Sequence, residues 1–132
     1  MVVPRKLEPY EPRARILLVE DDAAVARILL RILQKHDVVH EPTSAGVLRR
    51  IGAGERFDAI VSDVMMPGLT GPQLHAELER LAPDQAARMI FVTGGATNDA
   101  ARAFVESTPR PVLDKPIQAD RLRAEVSKLI GG

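Results

Sequence analysis

Four apolar runs in this chain are each followed by a side chain that can do chemistry. The groups differ in kind, comprising the carboxylates of Asp63, Glu20 and Asp21, the hydroxyl of Thr93 and the ammonium of Lys115. Asp63 is followed at once by a Pro-Gly loop, as expected where a buried strand leaves a sheet. If the runs are parallel strands, their carboxyl ends meet at one edge, where open α/β folds bind ligands.

These residue types together suit phosphoryl transfer. Clustered carboxylates repel one another unless they share a cation, and ligands that are all oxygen favour a hard ion such as Mg²⁺. A carboxylate beside Mg²⁺ and a lysine can attack a phosphoryl group, because both cations neutralise charge on the transferring oxygens. Asp63 is the candidate acceptor, while Thr93 could donate to one phosphoryl oxygen and Lys115 could pair with another. The set predicts an aspartyl-phosphate.

The elements that must position these groups alternate regularly along the chain. Strands are predicted from the short apolar runs, at Ile16–Val19, Val38–His40, Phe57–Ser62, Met89–Thr93 and Val112–Leu113. Helices are predicted where apolar residues recur every three or four positions. The first begins after Asp22 and extends to Leu33, and the others are Thr43–Ile51, Thr70–Leu81, Thr97–Ser107 and Ala119–Ile130. Asp22 is the expected cap of the first helix, and Pro83 is expected to close the third.

Strict alternation of strand and helix predicts an α/β fold with a parallel sheet and helices on both faces, because right-handed crossovers pack in that way. Residues 1–14 carry three prolines and no apolar period, so they are predicted to be a linker or disordered arm. The domain is expected at 15–130.

Composition limits the function classes. The 132 residues suffice for one domain, and 18 basic residues balance 18 acidic ones. With few aromatic residues, this balance gives no indication of nucleic-acid binding or direct membrane contact. The chain has no cysteine and no signal-peptide pattern, so a cytoplasmic protein is expected.

The motifs ILLVEDD, DVMMPG with Gly71 behind it, VTGG and DKP occur in this order, each at a strand end. Together they resemble the receiver domain of two-component response regulators, over roughly residues 15–130. The resemblance implies a three-layer, doubly wound (βα)5 fold of flavodoxin type with strand order 2-1-3-4-5.

The resemblance also implies residue roles. Asp63 would accept a phosphoryl group from the phosphohistidine of a histidine kinase or histidine phosphotransfer domain. Mg²⁺ would be held by Glu20, Asp21, Asp63 and the backbone carbonyl of Met65. Thr93 and Lys115 would contact the phosphoryl oxygens. The Lys115-Pro116 bond resembles the family's usual cis peptide, and a metal-ligand role for Asp22 stays open beside the cap.

Three positions depart from the family pattern. Val112 stands where many receivers have an aromatic that turns inward, so output would depend on backbone shifts or on Phe104. Met65 and Gly95 offer no polar side chain to orient an attacking water. Slow dephosphorylation is therefore predicted.

The favoured hypothesis is that this protein is a phosphoacceptor rather than an enzyme. It would be either the C-terminal receiver of a hybrid histidine kinase, in which case the full-length protein would be a kinase, or a stand-alone phosphate shuttle. Alternatives are an aspartyl-phosphate-forming phosphohydrolase and a receiver-like binding module that needs no phosphorylation. The phosphohydrolase would require a second acid at the position of Met65. A weak homodimer is possible.

Surface residues allow two further expectations. The three histidines, His36, His40 and His75, are interpreted as surface residues rather than metal ligands. The basic side chains of the first helix, Arg27, Arg31 and Lys35, form either a solvated face or a docking site for the phosphoryl donor.

Overall fold

The computed structural model describes residues 13–66, 68–94 and 98–131. Five parallel strands form one sheet in the order β2-β1-β3-β4-β5, which confirms the predicted α/β fold and its strand order. The strands are β1 (Arg15–Val19), β2 (Asp37–Glu41), β3 (Ala59–Asp63), β4 (Met89–Thr93) and β5 (Val112–Asp114). Most of the predicted arm lies outside the described residues, but Ala14 is buried against the core.

Helices connect the strands on both faces of the sheet. In the described residues they are α1 (Ala23–Ile32), α2 (Ser44–Gly52), α3 (Gly71–Leu81), α4 (Pro83–Ala86), α5 (Asp99–Ser107) and α6 (Ala119–Gly131). The described part of the chain has no helix whose length and apolar character would let it cross a membrane.

Polar side chains cap the N-termini of four of these helices, α1, α2, α3 and α5. Asp22 caps α1, accepting the amides of Ala24 and Val25, and so confirms the predicted cap. Thr43 and Thr70, expected inside helices, instead cap α2 and α3, because a hydroxyl that accepts a backbone N–H stabilises a helix start. Asn98 caps α5 in the same way.

The bounds of two predicted strands were wrong, and the short helix that follows α3 was not predicted. The third strand begins at Ala59 rather than Phe57, because the backbone of Phe57 pairs with the side chain of Gln85 instead of with a strand. Pro83 starts α4 as well as ending the α3 segment, since proline is well suited to the first turn of a helix. Pairing with β1 lengthens β2 to five residues.

The sheet separates two apolar cores. Alternate residues of each strand face opposite sides, so Leu17 and Val19 belong to one core and Ile16 and Leu18 to the other. The first core lies under α2, α3, α4 and α5, and the second lies under α1 and α6. Strands β3 and β4 are buried along their whole length, as central strands of a parallel sheet should be.

Candidate functional site

The carboxyl ends of the central strands bring the predicted site residues to one edge of the sheet. Asp63 is the last residue of β3 and pairs in register with Val92 of β4, whose final residue is Thr93. Glu20 follows β1, and Lys115 follows β5. The strands therefore place a carboxylate, a hydroxyl and an ammonium on adjacent loops.

Asp63 is buried at 5% exposure, and both of its carboxylate oxygens accept hydrogen bonds. Oδ1 accepts the backbone N–H of Met65 at 2.9 Å, and Oδ2 accepts the Lys115 ammonium at 2.7 Å. Such charge-assisted bonds are short and directional, so they fix the carboxylate at the rim.

Glu20 is 1% exposed and lies beside this ion pair. Its Oε2 accepts the backbone N–H of Asp22 at 3.2 Å, whereas its Oε1 is buried and accepts no hydrogen bond from any described residue. Lys115 Nζ lies 3.6 Å from that Oε1. Burial, with the charge of Asp63 adding to it and Lys115 opposing it, raises the pKa of Glu20 to about 7.

Lys115 is held from both its backbone and its side chain. Burial disfavours its charge, yet its pKa is raised because Asp63 accepts its hydrogen bond and Glu20 adds a second negative charge. Its backbone N–H donates to the Thr93 carbonyl at 2.7 Å, and its peptide bond to Pro116 is cis, as the resemblance implies. The β5 loop is thereby fixed to the end of β4.

Two glycines shape the loop after Asp63. Gly68 has a φ of +75°, which side chains rarely adopt and which glycine adopts at no steric cost. At Gly71, an added Cβ would stand 2.6 Å from the Asp63 carbonyl oxygen and 2.9 Å from the Val64 Cα. The start of α3 can therefore pack directly on the end of β3 only because residue 71 has no side chain.

Comparison with known proteins identifies the family of this chain. Residues 16–127 match the family model of the response regulator receiver domain. The chain belongs to the response regulator receiver family. Receiver domains are generally phosphoacceptor modules without catalytic activity of their own.

Two curated relatives from Brucella abortus show different contexts for this receiver. Sensor kinase CckA is 36% identical over 120 residues, which are 89% of this chain and 12% of CckA. The response regulator receiver protein CpdR is 32% identical over 120 residues, which are 88% of this chain and 96% of CpdR. The receiver thus spans a small part of one relative and nearly all of the other.

Solved structures share the receiver fold. The receiver domain of the sensor histidine kinase PA1611 from Pseudomonas aeruginosa, solved with magnesium in its active-site cleft, has a TM-score of 0.76 at 22% identity. It covers 92% of this chain and 100% of that chain. The Francisella response regulator 1452 receiver domain has a TM-score of 0.73 at 22% identity, covering 90% of this chain and 98% of that one.

The predicted metal ligands of the receiver are not gathered into one cluster. Among the described residues, no group of three or more acidic, histidine or cysteine side chains is arranged to hold a metal ion. Asp21 is exposed, and Asp22 is engaged as the α1 cap. The buried Oε1 of Glu20, which accepts no hydrogen bond from the described residues, and the carboxylate of Asp63 nevertheless fit a hard cation, because both groups supply oxygen ligands.

Of the three positions that depart from the family pattern, the structure describes Val112 and Met65. Val112 is half-buried and packs against the first core, as does Phe104. Met65 is half-buried, and Gly95 lies outside the described residues. Slow dephosphorylation stays a prediction.

The interpretation of all three histidines as surface residues was wrong for two of them. His75 packs edge-on against Phe91 and Phe104, with ring centroids at 6.0 and 6.1 Å, and His36 is half-buried where it accepts the Ala14 amide. An apolar helical period counts histidine as polar, so it did not assign His75 to the core. The signal that could have shown its burial is its place in α3, next to the buried Leu74. His40 is exposed, but it contacts the Glu20 carbonyl oxygen.

Proposed function

We propose that this receiver accepts a phosphoryl group on Asp63 from a phosphohistidine of a histidine kinase or histidine phosphotransfer domain, in a reaction that needs Mg²⁺. The observation that carries the proposal is the Asp63 carboxylate itself, which is buried at a strand end and bonded at 2.7 Å to Lys115. A buried carboxylate with a fixed cation beside it is prepared to take a group that brings more negative charge.

The step is a substitution at phosphorus. A P–O bond forms to an Asp63 carboxylate oxygen while the P–N bond to the donor imidazole breaks, and the imidazole leaves with the electron pair. The Lys115 ammonium, which pairs with the free Asp63 carboxylate, would then pair with a phosphoryl oxygen. The Thr93 hydroxyl, at the end of the neighbouring strand β4, would donate a hydrogen bond to a second phosphoryl oxygen. Hydrogen bonds from Met65 N–H and Lys115 keep the attacking carboxylate oriented.

Glu20, Asp21, Asp63 and the Met65 carbonyl would hold the Mg²⁺. When bound, the ion supplies positive charge for the transferring phosphoryl oxygens. The Oε1 of Glu20 supports this assignment, because this buried carboxylate oxygen accepts no hydrogen bond from the described residues and faces the Lys115 ammonium only at 3.6 Å, so a closer cation would satisfy it better. The magnesium in the cleft of the PA1611 receiver is a parallel from the same fold.

The exposed side of α1 is the proposed docking surface for the phosphoryl donor. Ile28 is 58% exposed on this helix, with Arg27 and Arg31 as exposed neighbours. An apolar side chain framed by positive charges suits a helix of a partner that offers an apolar stripe and acidic residues. The docking surface would serve the receiver in either context found among its relatives, within a sensor kinase as in CckA or as nearly the whole protein as in CpdR.

The test is the intact mass of the protein after incubation with acetyl phosphate and Mg²⁺. One added phosphoryl group is expected on the wild type, and none on Asp63→Asn or on wild type with the divalent ion chelated. Asp58→Asn is the matched control, because Asp58 lies at the other end of β3 and bonds the Arg15 amide.

Each outcome has a clear meaning. An adduct that forms on Asp63→Asn, or without Mg²⁺, would contradict the proposal. If acetyl phosphate gives no adduct, transfer from a phosphorylated histidine kinase decides, and failure there would favour the phosphorylation-independent binding module. Rapid turnover of acetyl phosphate would favour the phosphohydrolase, against which the thioether at Met65 already counts.

A further inference from the structure

The segment from His40, near the end of β2, to Ser44, the first residue of α2, contacts both loops that carry the candidate metal ligands, and we call it the β2–α2 connection. From its first end, His40 Nε2 lies 2.8 Å from the carbonyl oxygen of Glu20, in the loop after β1. From its second end, Ser44 Oγ donates to the carbonyl oxygen of Leu69 at 2.9 Å, in the loop after β3. Neither side chain belongs to the set that would touch the phosphoryl group.

Two residues of β2, His40 and Glu41, bind the backbone of Glu20 through hydrogen bonds. A carbonyl oxygen only accepts, so the Nε2 of His40 must carry the proton in this contact. The Glu20 N–H donates in turn to the Glu41 carbonyl at 3.3 Å, at the end of the β1–β2 ladder. Both backbone polar groups of Glu20 are thereby fixed by β2, and this fixes where its buried carboxylate can point.

Ser44 acts on the second loop. It is 4% exposed and begins α2, but the cap of that helix is Thr43, whose hydroxyl accepts the Gly46 N–H. The Ser44 hydroxyl is therefore used across the fold, on the residue just before Thr70, the cap of α3. Leu69 lies in the same loop as Met65, so the Ser44 hydroxyl anchors the α3 end of the loop that carries the Met65 carbonyl.

We propose that His40 and Ser44 are positioning residues that hold the two loops at the spacing Mg²⁺ requires. The inference rests on the proposed Mg²⁺-dependent function. It assigns a role to the β2–α2 connection: this connection sets the affinity of a site to which it contributes no ligand. A ligand set that is misplaced by a fraction of an ångström binds its ion more weakly, because hard octahedral coordination tolerates little distortion.

The experiment measures the Kd of Mg²⁺ alone for the full chain, from amide chemical shifts in a magnesium titration, with the thermal midpoint recorded for each variant. The test variants are His40→Ala, Ser44→Ala and the double variant, with His40→Gln as the conservative replacement that keeps an N–H donor. The matched controls are His36→Ala, which removes the contact to the Ala14 amide near the other end of β2, and Ser107→Ala, which removes a hydroxyl bonded only within α5.

Each test variant is expected to raise the Kd by about tenfold, the lower end of the effect of losing a residue that positions a metal ligand. His40→Gln should restore most of the affinity, and the controls should leave the Kd unchanged whatever they do to the thermal midpoint. Unchanged Kd values in His40→Ala and Ser44→Ala, with wild type binding Mg²⁺ normally, would overturn the positioning role alone. A wild type whose amides do not respond to Mg²⁺ would overturn the proposed function and this inference with it.

Discussion

Lys115 is the cation that stands between the two buried carboxylates of the receiver site. It bonds Asp63 at 2.7 Å and lies 3.6 Å from Glu20, so it partly offsets the repulsion that burial strengthens. A divalent ion entering the site would compete with this ammonium for the same oxygens. Under the proposed function, Lys115 would therefore have two opposing effects, favourable toward a bound phosphoryl group and unfavourable toward the metal.

We predict that Lys115→Ala binds Mg²⁺ about three- to tenfold more tightly while accepting a phosphoryl group from acetyl phosphate more slowly, because one nearby positive charge is gone. Magnesium titration and the rate of mass gain measure the two effects separately. Lys128→Ala, on the exposed side of α6, is the matched control. Weaker Mg²⁺ binding in Lys115→Ala would mean that the lysine organises the carboxylates rather than competing with the ion.

At this scale the sequence was sufficient to select the candidate residues, because each follows an apolar run. It could not predict which oxygen of Asp63 bonds Lys115, or that Oε1 of Glu20 would be left without a hydrogen bond. Those details depend on side-chain rotamers and on packing between loops far apart in the chain. The same limit applies to His40, whose partner lies 20 residues away.

At the scale of elements, α4 is the one helix of the described chain that sequence reasoning did not predict. It is a single turn, too short to show an apolar period, and its proline was interpreted only as a stop. Its function is local. Gln85 is 2% exposed and pairs with both backbone polar groups of Phe57, accepting the N–H at 2.9 Å and donating to the carbonyl at 3.2 Å.

We predict that Gln85→Leu lowers the free energy of unfolding by about 2–3 kcal/mol, because it leaves the buried N–H and C=O of Phe57 without partners. Urea denaturation at neutral pH measures the change. Gln34→Leu, at an exposed position after α1, should stay within about 0.5 kcal/mol of wild type. Equal stability of Gln85→Leu and wild type would show that water or a neighbouring group satisfies this backbone.

For the whole molecule, alternation of short apolar runs and amphipathic segments determined the fold class, because parallel strands joined by right-handed crossovers leave few other arrangements. The aromatic contacts across the first core were not predictable in this way. Phe91 and Phe104 pack edge-on with centroids 4.9 Å apart, and His75 joins them from α3. Three residues on separate elements meet only once the layers have packed.

The stability of the whole domain should depend on pH through His75. Burial lowers its pKa, with Glu79 opposing that shift and Arg110 adding to it. Above about pH 6.5 the imidazole is neutral in both states, and below it the unfolded chain takes the proton first. The free energy of unfolding should therefore fall as the pH drops below about 6.5, until the folded imidazole is protonated as well.

We predict that His75→Leu loses less stability than wild type between pH 7.5 and 5.5, in urea denaturation at the two pH values, because this variant has no proton to bind at the aromatic cluster. Other titrating groups contribute equally to both proteins and cancel in the difference. Identical losses in wild type and variant would show that His75 titrates in the folded state as it does in the unfolded chain.

The loops of the site lead to different sides of the sheet. Asp63 is followed by α3, over the first core, whereas Lys115 is followed by α6, over the second. Their ion pair is therefore a contact across the edge of the sheet, between two loops that lead to the helical layers on its opposite faces. Any group that takes the Asp63 oxygen from Lys115 must break or replace this contact, so we expect the loop leading to α3 and the loop leading to α6 to be released together.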